Sequence, residues 1–314
     1  MKKRLKILIP LIVGLFFIYL TFELTNPDER KLIYSYIGSA KIEFVLTAML
    51  LGASADVIRG LRWQLLSSSM GYNSNKLISI ASVFMCYTSN MAIARSGEFV
   101  RASVLSSYTN IPLGKTLGTI AAERVVDICI SLIILITVWI LQYDLIIESL
   151  FDDKILLYIN DNIAIIGIVI LFFIIVSIIL IKKIKRLGRF FNTILEGLLS
   201  VTKLKSKMIL FVMLSLLIWT CYILAFSVIK FSVPELSEID SNLIFPAFVV
   251  GVYSISLSNH GLGVYPLAIS LFLVNFGINT ELGLTYGWLA WSCQAIITLI
   301  FGALSFFVLP LLSK

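Results

Sequence analysis

Long apolar runs alternate with short charged segments along the whole chain. Runs long enough to span a bilayer cover residues 5–22, 41–58, 125–142, 162–181, 208–230 and 284–311, a spanning helix needing about 20 mainly apolar residues. Two further apolar stretches, 77–120 and 243–279, are each broken by a polar or glycine-rich cluster. The first break reads Ala94-Arg95-Ser96-Gly97-Glu98 and the second Ser258-Asn259-His260-Gly261-Leu262-Gly263. The pattern predicts an all-α polytopic membrane protein with about six spanning helices. The two broken stretches are either re-entrant hairpins or pairs of full spans, which would make eight or more spans. Their polar tips favour the re-entrant form, because irregular backbone at membrane depth needs protein or a water-filled cavity around it.

Composition agrees with lipid as the solvent. Hydrophobic residues make up 59% of the 314 and charged residues 14%, whereas a soluble domain is about a quarter charged. One integral membrane domain, residues 1–314, is the simplest division. The net charge of +7 would suggest nucleic acid for a soluble protein; here it reflects cytoplasmic loops rich in Lys and Arg, and no nucleic-acid partner is expected. The start, Met1-Lys2-Lys3-Arg4-Leu5-Lys6 and an apolar run to Phe22, imitates a secretion signal. It lacks a small-residue cleavage site and is long for one, so a retained first helix is expected. The cysteines, Cys86, Cys129, Cys221 and Cys293, lie in apolar runs without a C-x-x-C pair, and His260 is the lone histidine. This excludes a disulfide framework and a multi-histidine metal centre, and no cofactor is expected.

Charge sets the orientation. Lys182, Lys183, Lys185, Arg186, Arg189, Lys203, Lys205 and Lys207 crowd one loop, which the positive-inside rule places in the cytoplasm with the N-terminus. The acidic loops 143–161 and 231–242 fit outside. Arg59, Arg62 and Lys76 follow the second apolar run, so residue 77 starts inside, and helix 125–142 must also start inside to end in the acidic loop. Residues 77–120 therefore leave and return on the cytoplasmic side, and 243–279 on the outer side. Both termini fall in the cytoplasm of a cell inner (plasma) membrane. Residues 1–145 and 160–314 then share one element order with opposite orientation, the inverted repeat common in transporters with a central site. Ten residues separate Tyr87 from Gly97, as they do Tyr253 from Gly263.

The densest charge near the membrane interior is Arg95-Ser96-Gly97-Glu98-Phe99-Val100-Arg101, followed by Glu123-Arg124-Val125-Val126-Asp127. Ionisable groups there are costly and face a cavity or one another. Glu98 and Arg101 are three apart and suited to pair on a helix. Glu123 and Asp127 put two carboxylates on one face, and Arg95, Arg101 or Arg59 would relieve their repulsion. The functional reading is a cationic pocket for a phosphate; the alternative is interfacial snorkelling with structural salt bridges. Arg59 and Arg62 share a face where the second helix is expected to end, and Trp63 suits an interface, so simple anchoring is the stronger reading there.

At the outer tip, Gly261 and Gly263 let backbone N–H groups approach a ligand beside Asn259. A half-helix starting at Val264, with Pro266 in its first turn, would favour an anion at its amino end; an ordinary turn is the competing reading. Two motifs are set aside. Leu113-Gly114-Lys115-Thr116 resembles the end of a P-loop, but Thr109 stands where the first glycine is required. Gly283-Leu284-Thr285-Tyr286-Gly287 reads as helix packing.

Arg59-Gly60-Leu61-Arg62-Trp63, Arg95-Ser96-Gly97-Glu98 with Arg101, Glu123-Arg124 with Asp127, and Gly261-Leu262-Gly263-Val264 together resemble the transmembrane, flippase-like region of the lysylphosphatidylglycerol synthase family. The resemblance spans about residues 1–312. It implies a region that translocates an aminoacylated phospholipid made by a separate cytoplasmic domain. With Lys314 as the last residue, a stand-alone region without that synthase activity is expected. The family pattern has a glutamate near Pro266 and prolines near Ser256, Asn259 and Ala94, so this chain departs from it mainly at the outer tip. The resulting expectation is a lipid translocase whose partner is a membrane lipid with an anionic head group, a phospholipid or polyprenyl phosphate. The head group would be held by Arg95, Arg101 and Arg124, with Arg59 and Arg62. The alternatives are a membrane enzyme using Glu98, Glu123 or Asp127 as base, for which no nucleophile–base pair is visible, and a non-transporting accessory subunit of a lipid or glycan synthesis system.

Overall fold

The computed structural model describes residue 12 and residues 15–142 and 199–312. The expected span 162–181, the loop 143–161 and the basic loop up to residue 198 lie outside the described residues, as does half of the apolar run 5–22. Every regular element among the described residues is helical. Residues 15–23 form α1 and Pro27–Gly38 form α2. Asn26 caps α2 by accepting from the Asp28 and Glu29 amides, while the Glu29 carboxylate accepts from the Asn26 N–H, so two orphan donors are met reciprocally. The order continues with α3 (Ile42–Ser69), α4 (Lys76–Ala92), α5 (Gly97–Thr109) and α6 (Leu113–Leu141). It ends with α7 (Met208–Val228), α8 (Ser241–Ser254), α9 (Val264–Val274) and α10 (Thr280–Leu311).

Four helical segments are long and apolar enough to cross a membrane: α3, α6, α10 and Thr202–Phe231, which contains α7. Their outward side chains are apolar; Leu50, Ile133, Ile209 and Phe307 are 62–75% exposed. Such a continuous greasy surface is tolerated only against lipid. The helices of the broken stretches are shorter: 17 and 13 residues for α4 and α5, and 14 and 11 for α8 and α9. At 1.5 Å per residue, 11 residues reach about 16 Å, half of the roughly 30 Å hydrocarbon core. The lengths fit two re-entrant hairpins rather than pairs of full spans. Long helix, short pair, long helix thus occurs twice, as α3 to α6 and as α7 to α10.

Two expected boundaries are corrected. Helix α6 begins at Leu113, within the stretch 77–120 expected as the first hairpin, rather than at 125. The second helix does not end near residue 58 but runs to Ser69. Arg59 and Arg62, which hydropathy alone assigns to an interface, are 4% and 0% exposed within it. Trp63 is no interfacial anchor; it is fully buried, and its indole N–H donates to Thr119 Oγ1 of α6 at 2.9 Å. The helix continues because its charges are neutralised by α6 rather than by water.

Two apolar clusters organise the packing. One gathers Trp63, Ile78, Ala102, Leu105 and Ile120 around the first hairpin. The other gathers Phe226, Phe248, Tyr265, Ile269 and Tyr286 around the second. Helix α10 packs on both hairpins through small residues. A Cβ on Gly302 would sit 1.8 Å from Thr88 Oγ1 of α4, and one on Gly287 would sit 2.5 Å from Pro266 Cα of α9. Gly283 is similarly closed by Ser270, at 2.7 Å from its Cα, which bears out the packing reading of the Gly283–Gly287 pair.

Replacing Gly287 with Val drives a side chain into the α9 backbone. A loss of about 1–3 kcal/mol is expected from such overpacking, visible as a lowered thermal unfolding midpoint of the solubilised protein. Gly38→Ala, which meets open space at the end of α2, leaves the midpoint within error.

Candidate functional site: a charged network beside a half-apolar cavity

Helix α3 presents Asp56, Arg59 and Arg62 along one face, and α6 presents Glu123 and Asp127, one turn apart. Facing these, α5 contributes Glu98 and Arg101. Arg62 reaches both carboxylates of α6: its Nη1 donates to Asp127 Oδ1 at 2.7 Å, and its Nε to Glu123 Oε1 at 3.3 Å. Arg101 Nη1 donates to the second oxygen of Glu123 at 2.7 Å, and Arg59 pairs with the second oxygen of Asp127. Ser215 of α7 accepts a further bond from Arg62 at 2.9 Å, and the Arg62 guanidinium lies over the Phe211 ring, 5.4 Å from its centroid. All four groups of the inner network, Arg62, Arg101, Glu123 and Asp127, are buried.

The pairing differs from the spacing-based expectation. Glu98 does not pair with Arg101 on its own helix; its carboxylate accepts from Arg124 Nη2 at 3.1 Å, both side chains being about one-third exposed. Arg101 turns inward to Glu123 instead. The close carboxylates of Glu123 and Asp127 are relieved by Arg59, Arg62 and Arg101, and Arg95 takes no part. Arg95 is exposed and forms no ion pair among the described residues.

Beside this network lies a cavity of about 440 Å³, within the usual size range of small-molecule sites. Its polar lining comprises Arg59, Arg95, Glu98, Arg124 and Asp127 with Tyr87 and Asn90, and its aromatic lining Trp219, Phe226, Phe248, Tyr265 and Trp291. Arg62, Arg101 and Glu123 are absent from the wall and sit behind it. The pocket expected from the arginines therefore separates into a buried scaffold and an open face made by Arg59, Arg95 and Arg124. Arg59, Arg62, Arg101 and Arg124 pair with only three acids, Glu98, Glu123 and Asp127, and Arg95 adds to that positive surplus.

The two hairpin tips meet here. The Tyr87 and His260 rings lie 6.0 Å apart between centroids, and Asn259 Nδ2 reaches Ala92 O at 3.5 Å. His260 lines the cavity, and its carbonyl accepts from Trp291 Nε1 at 3.0 Å. Asn259 is 2% exposed, and neither it nor Gly261 or Gly263 is on the wall. The glycines serve the turn, with φ of 78° and 72°. The half-helix does begin at Val264, and its first turn contributes Tyr265 to the wall. Each tip also holds a wall residue in left-handed backbone: Arg95 at φ 60° and His260 at φ 53°. Such conformations cost about 1–3 kcal/mol and cluster at functional sites.

Several wall residues escape motif reading. Asn90, Gln294 and the neighbouring Asp56 are polar groups within apolar helices, and their rarity at that depth was the available signal. Tyr87, Trp219 and Trp291 carry no such signal, since aromatic residues are common in spans and at interfaces alike.

Fold and site define a multi-pass helical membrane protein with a charge-lined cavity among its helices. The chain belongs to the family of the lysylphosphatidylglycerol synthase TM region, whose sequence model matches residues 7–302. It is 29% identical over 104 residues to Glycosyltransferase AglD of Haloferax volcanii, covering 33% of this chain and 16% of that protein. It is 32% identical over 112 residues to a UPF0104 membrane protein of Methanocaldococcus jannaschii, covering 32% of this chain and 33% of that one. The chain thus spans about a sixth and a third of these two relatives. No solved structure matches it.

Removing Glu123 strands Arg62 and Arg101 without their shared carboxylate. Glu123→Ala is expected to cost about 3–5 kcal/mol, as for other broken buried pairs, and to lower the yield of monodisperse protein. Arg95→Ala, at an exposed and unpaired site, leaves thermal stability unchanged.

Proposed function

We propose that the protein is a lipid translocase that takes an anionic phospholipid or polyprenyl-phosphate head group into the cavity. The carrying observation is the polar wall, where Arg95 has no carboxylate partner among the described residues and Arg124 and Arg59 share the lining with it. A phosphate offers the oxygens that guanidinium groups bind most strongly. The aromatic lining suits the apolar part of a lipid, so the tails remain in hydrocarbon while fixed donors replace head-group hydration. Arg101 and Arg62 then act by holding Glu123 and Asp127, and through them the wall, rather than by touching the ligand. The site joins the tips of two inverted halves, 1–145 and 160–314, in an inner membrane with both termini in the cytoplasm. Likeness to a protein named a glycosyltransferase favours a second reading, an accessory subunit of a glycan synthesis system that presents a lipid without moving it.

Proteoliposomes carrying fluorescent phosphatidylglycerol, scored by dithionite quenching of the outer leaflet, separate the two. Losing one charge-assisted bond costs about 1.5–3 kcal/mol. Arg95→Ala and Arg124→Ala should therefore each slow flux by about tenfold or more. Unchanged flux in both variants refutes the mechanism; bound lipid without any flux supports the accessory reading.

A further inference from the structure

Asp56 stands apart from every other acid of the cluster. Glu98, Glu123 and Asp127 each have an arginine within 4.0 Å. Asp56, 0% exposed in the middle of α3, has none among the described residues. Two neutral donors hold it: the Tyr222 hydroxyl of α7 gives a hydrogen bond to Oδ1 at 2.6 Å, and Gln294 Nε2 of α10 gives one to Oδ2 at 3.1 Å. The Gln294 amide is set by packing, since its Oε1 occupies the place a Cβ would take on Gly52, one turn before Asp56 on α3. The other charged or titratable groups near Asp56 are committed elsewhere or lie further off. Arg59 on its own helix pairs with Asp127 of α6, Arg124 of α6 pairs with Glu98, and Tyr87 of α4 faces His260. Cys293 of α10 points its thiol to Val45 O at 3.9 Å.

An ionised carboxylate without a cation is costly at this depth, whereas its protonated form is neutral and keeps both oxygens hydrogen-bonded if the Tyr222 hydroxyl turns to accept. Tyr222 and Gln294 also line the cavity, so one side chain separates Asp56 from it. Turning the Tyr222 hydroxyl reverses the direction of the hydrogen bond that this wall residue shares with Asp56.

We propose that Asp56 is a proton-binding site that couples a transmembrane proton gradient to passage through the cavity. The proposal rests on the translocase reading. One proton adds to the carboxylate from the cavity and leaves by the same oxygen; no other bond is made or broken.

The test uses the full chain in proteoliposomes containing fluorescent phosphatidylglycerol. Infrared difference spectra on acidification should show the carbonyl stretch of a protonated carboxyl, absent in Asp56→Asn. In Tyr222→Phe the band should persist at a shifted wavenumber, the acid O–H having lost its acceptor while Gln294 still donates to the carbonyl. With one coupled proton, a gradient of about one pH unit should drive a leaflet asymmetry of about tenfold in the probe, and Asp56→Asn should abolish it. A band retained in Asp56→Asn, or no band in the wild type, overturns the proton site. Wild-type flux that ignores the gradient overturns the coupling and leaves the translocase reading intact. A titrating Asp56 with no probe movement under any condition removes the translocase reading and the coupling together.

Discussion

Charge inside a low-dielectric slab has to find a partner, and most of this structure follows from how that demand is met. Arg62 is fully buried on a helix bound for hydrocarbon, where an isolated guanidinium would be prohibitive. It is accommodated because Glu123 and Asp127, one turn apart on α6, offer oxygens on the same side. Arg101 from α5 and Arg59 from α3 complete the exchange. The network thereby ties α3, α5 and α6 together and adds α7 through Ser215. Hydrophobic packing in lipid lacks the drive it has in water, so polar ties and close contacts carry more of the specificity.

Once the inner arginines are committed, the remaining charges define the open face. Arg124, about one-third exposed, and Arg95, exposed and unpaired, meet the cavity where the two hairpin tips come together. Rigid parts and wall parts are thus segregated. The rigid parts are buried pairs and glycine contacts such as Gly287 on Pro266. The wall parts are tips held in left-handed backbone at Arg95 and His260. The Asp56–Tyr222–Gln294 group lies at the boundary, sharing its donors between frame and wall.

Much of the architecture was legible along the chain. Apolar run length located α3, α6, α7 and α10, because the bilayer core sets a length that hydropathy reads directly. The interruptions at residues 94–98 and 258–263 located both tips, because polar groups and glycines at depth are tolerated only where the backbone turns. Charge density singled out Arg59, Arg62, Arg95, Glu98, Arg101, Glu123, Arg124 and Asp127 before any contact was known. Boundaries set by charge were less legible: α3 passes through Arg59 and Arg62 to Ser69, since a neutralised arginine no longer marks an interface. The short helix α2 was missed, although its Asn26–Glu29 capping box is written plainly.

The sequence by itself therefore determined the solvent, the helical class, four of the spans and the set of charged residues, all quantities that depend on local composition and periodicity. Only the tertiary structure decided which charge meets which. Spacing suggested Glu98 with Arg101, but the fold pairs Arg101 with Glu123 and Glu98 with Arg124. It also divided the arginines into scaffold and wall, and left Asp56 between two neutral donors. Partner choice depends on how α3, α5, α6, α7 and α10 approach in space, and separations such as the 238 residues between Asp56 and Gln294 put that beyond any local pattern.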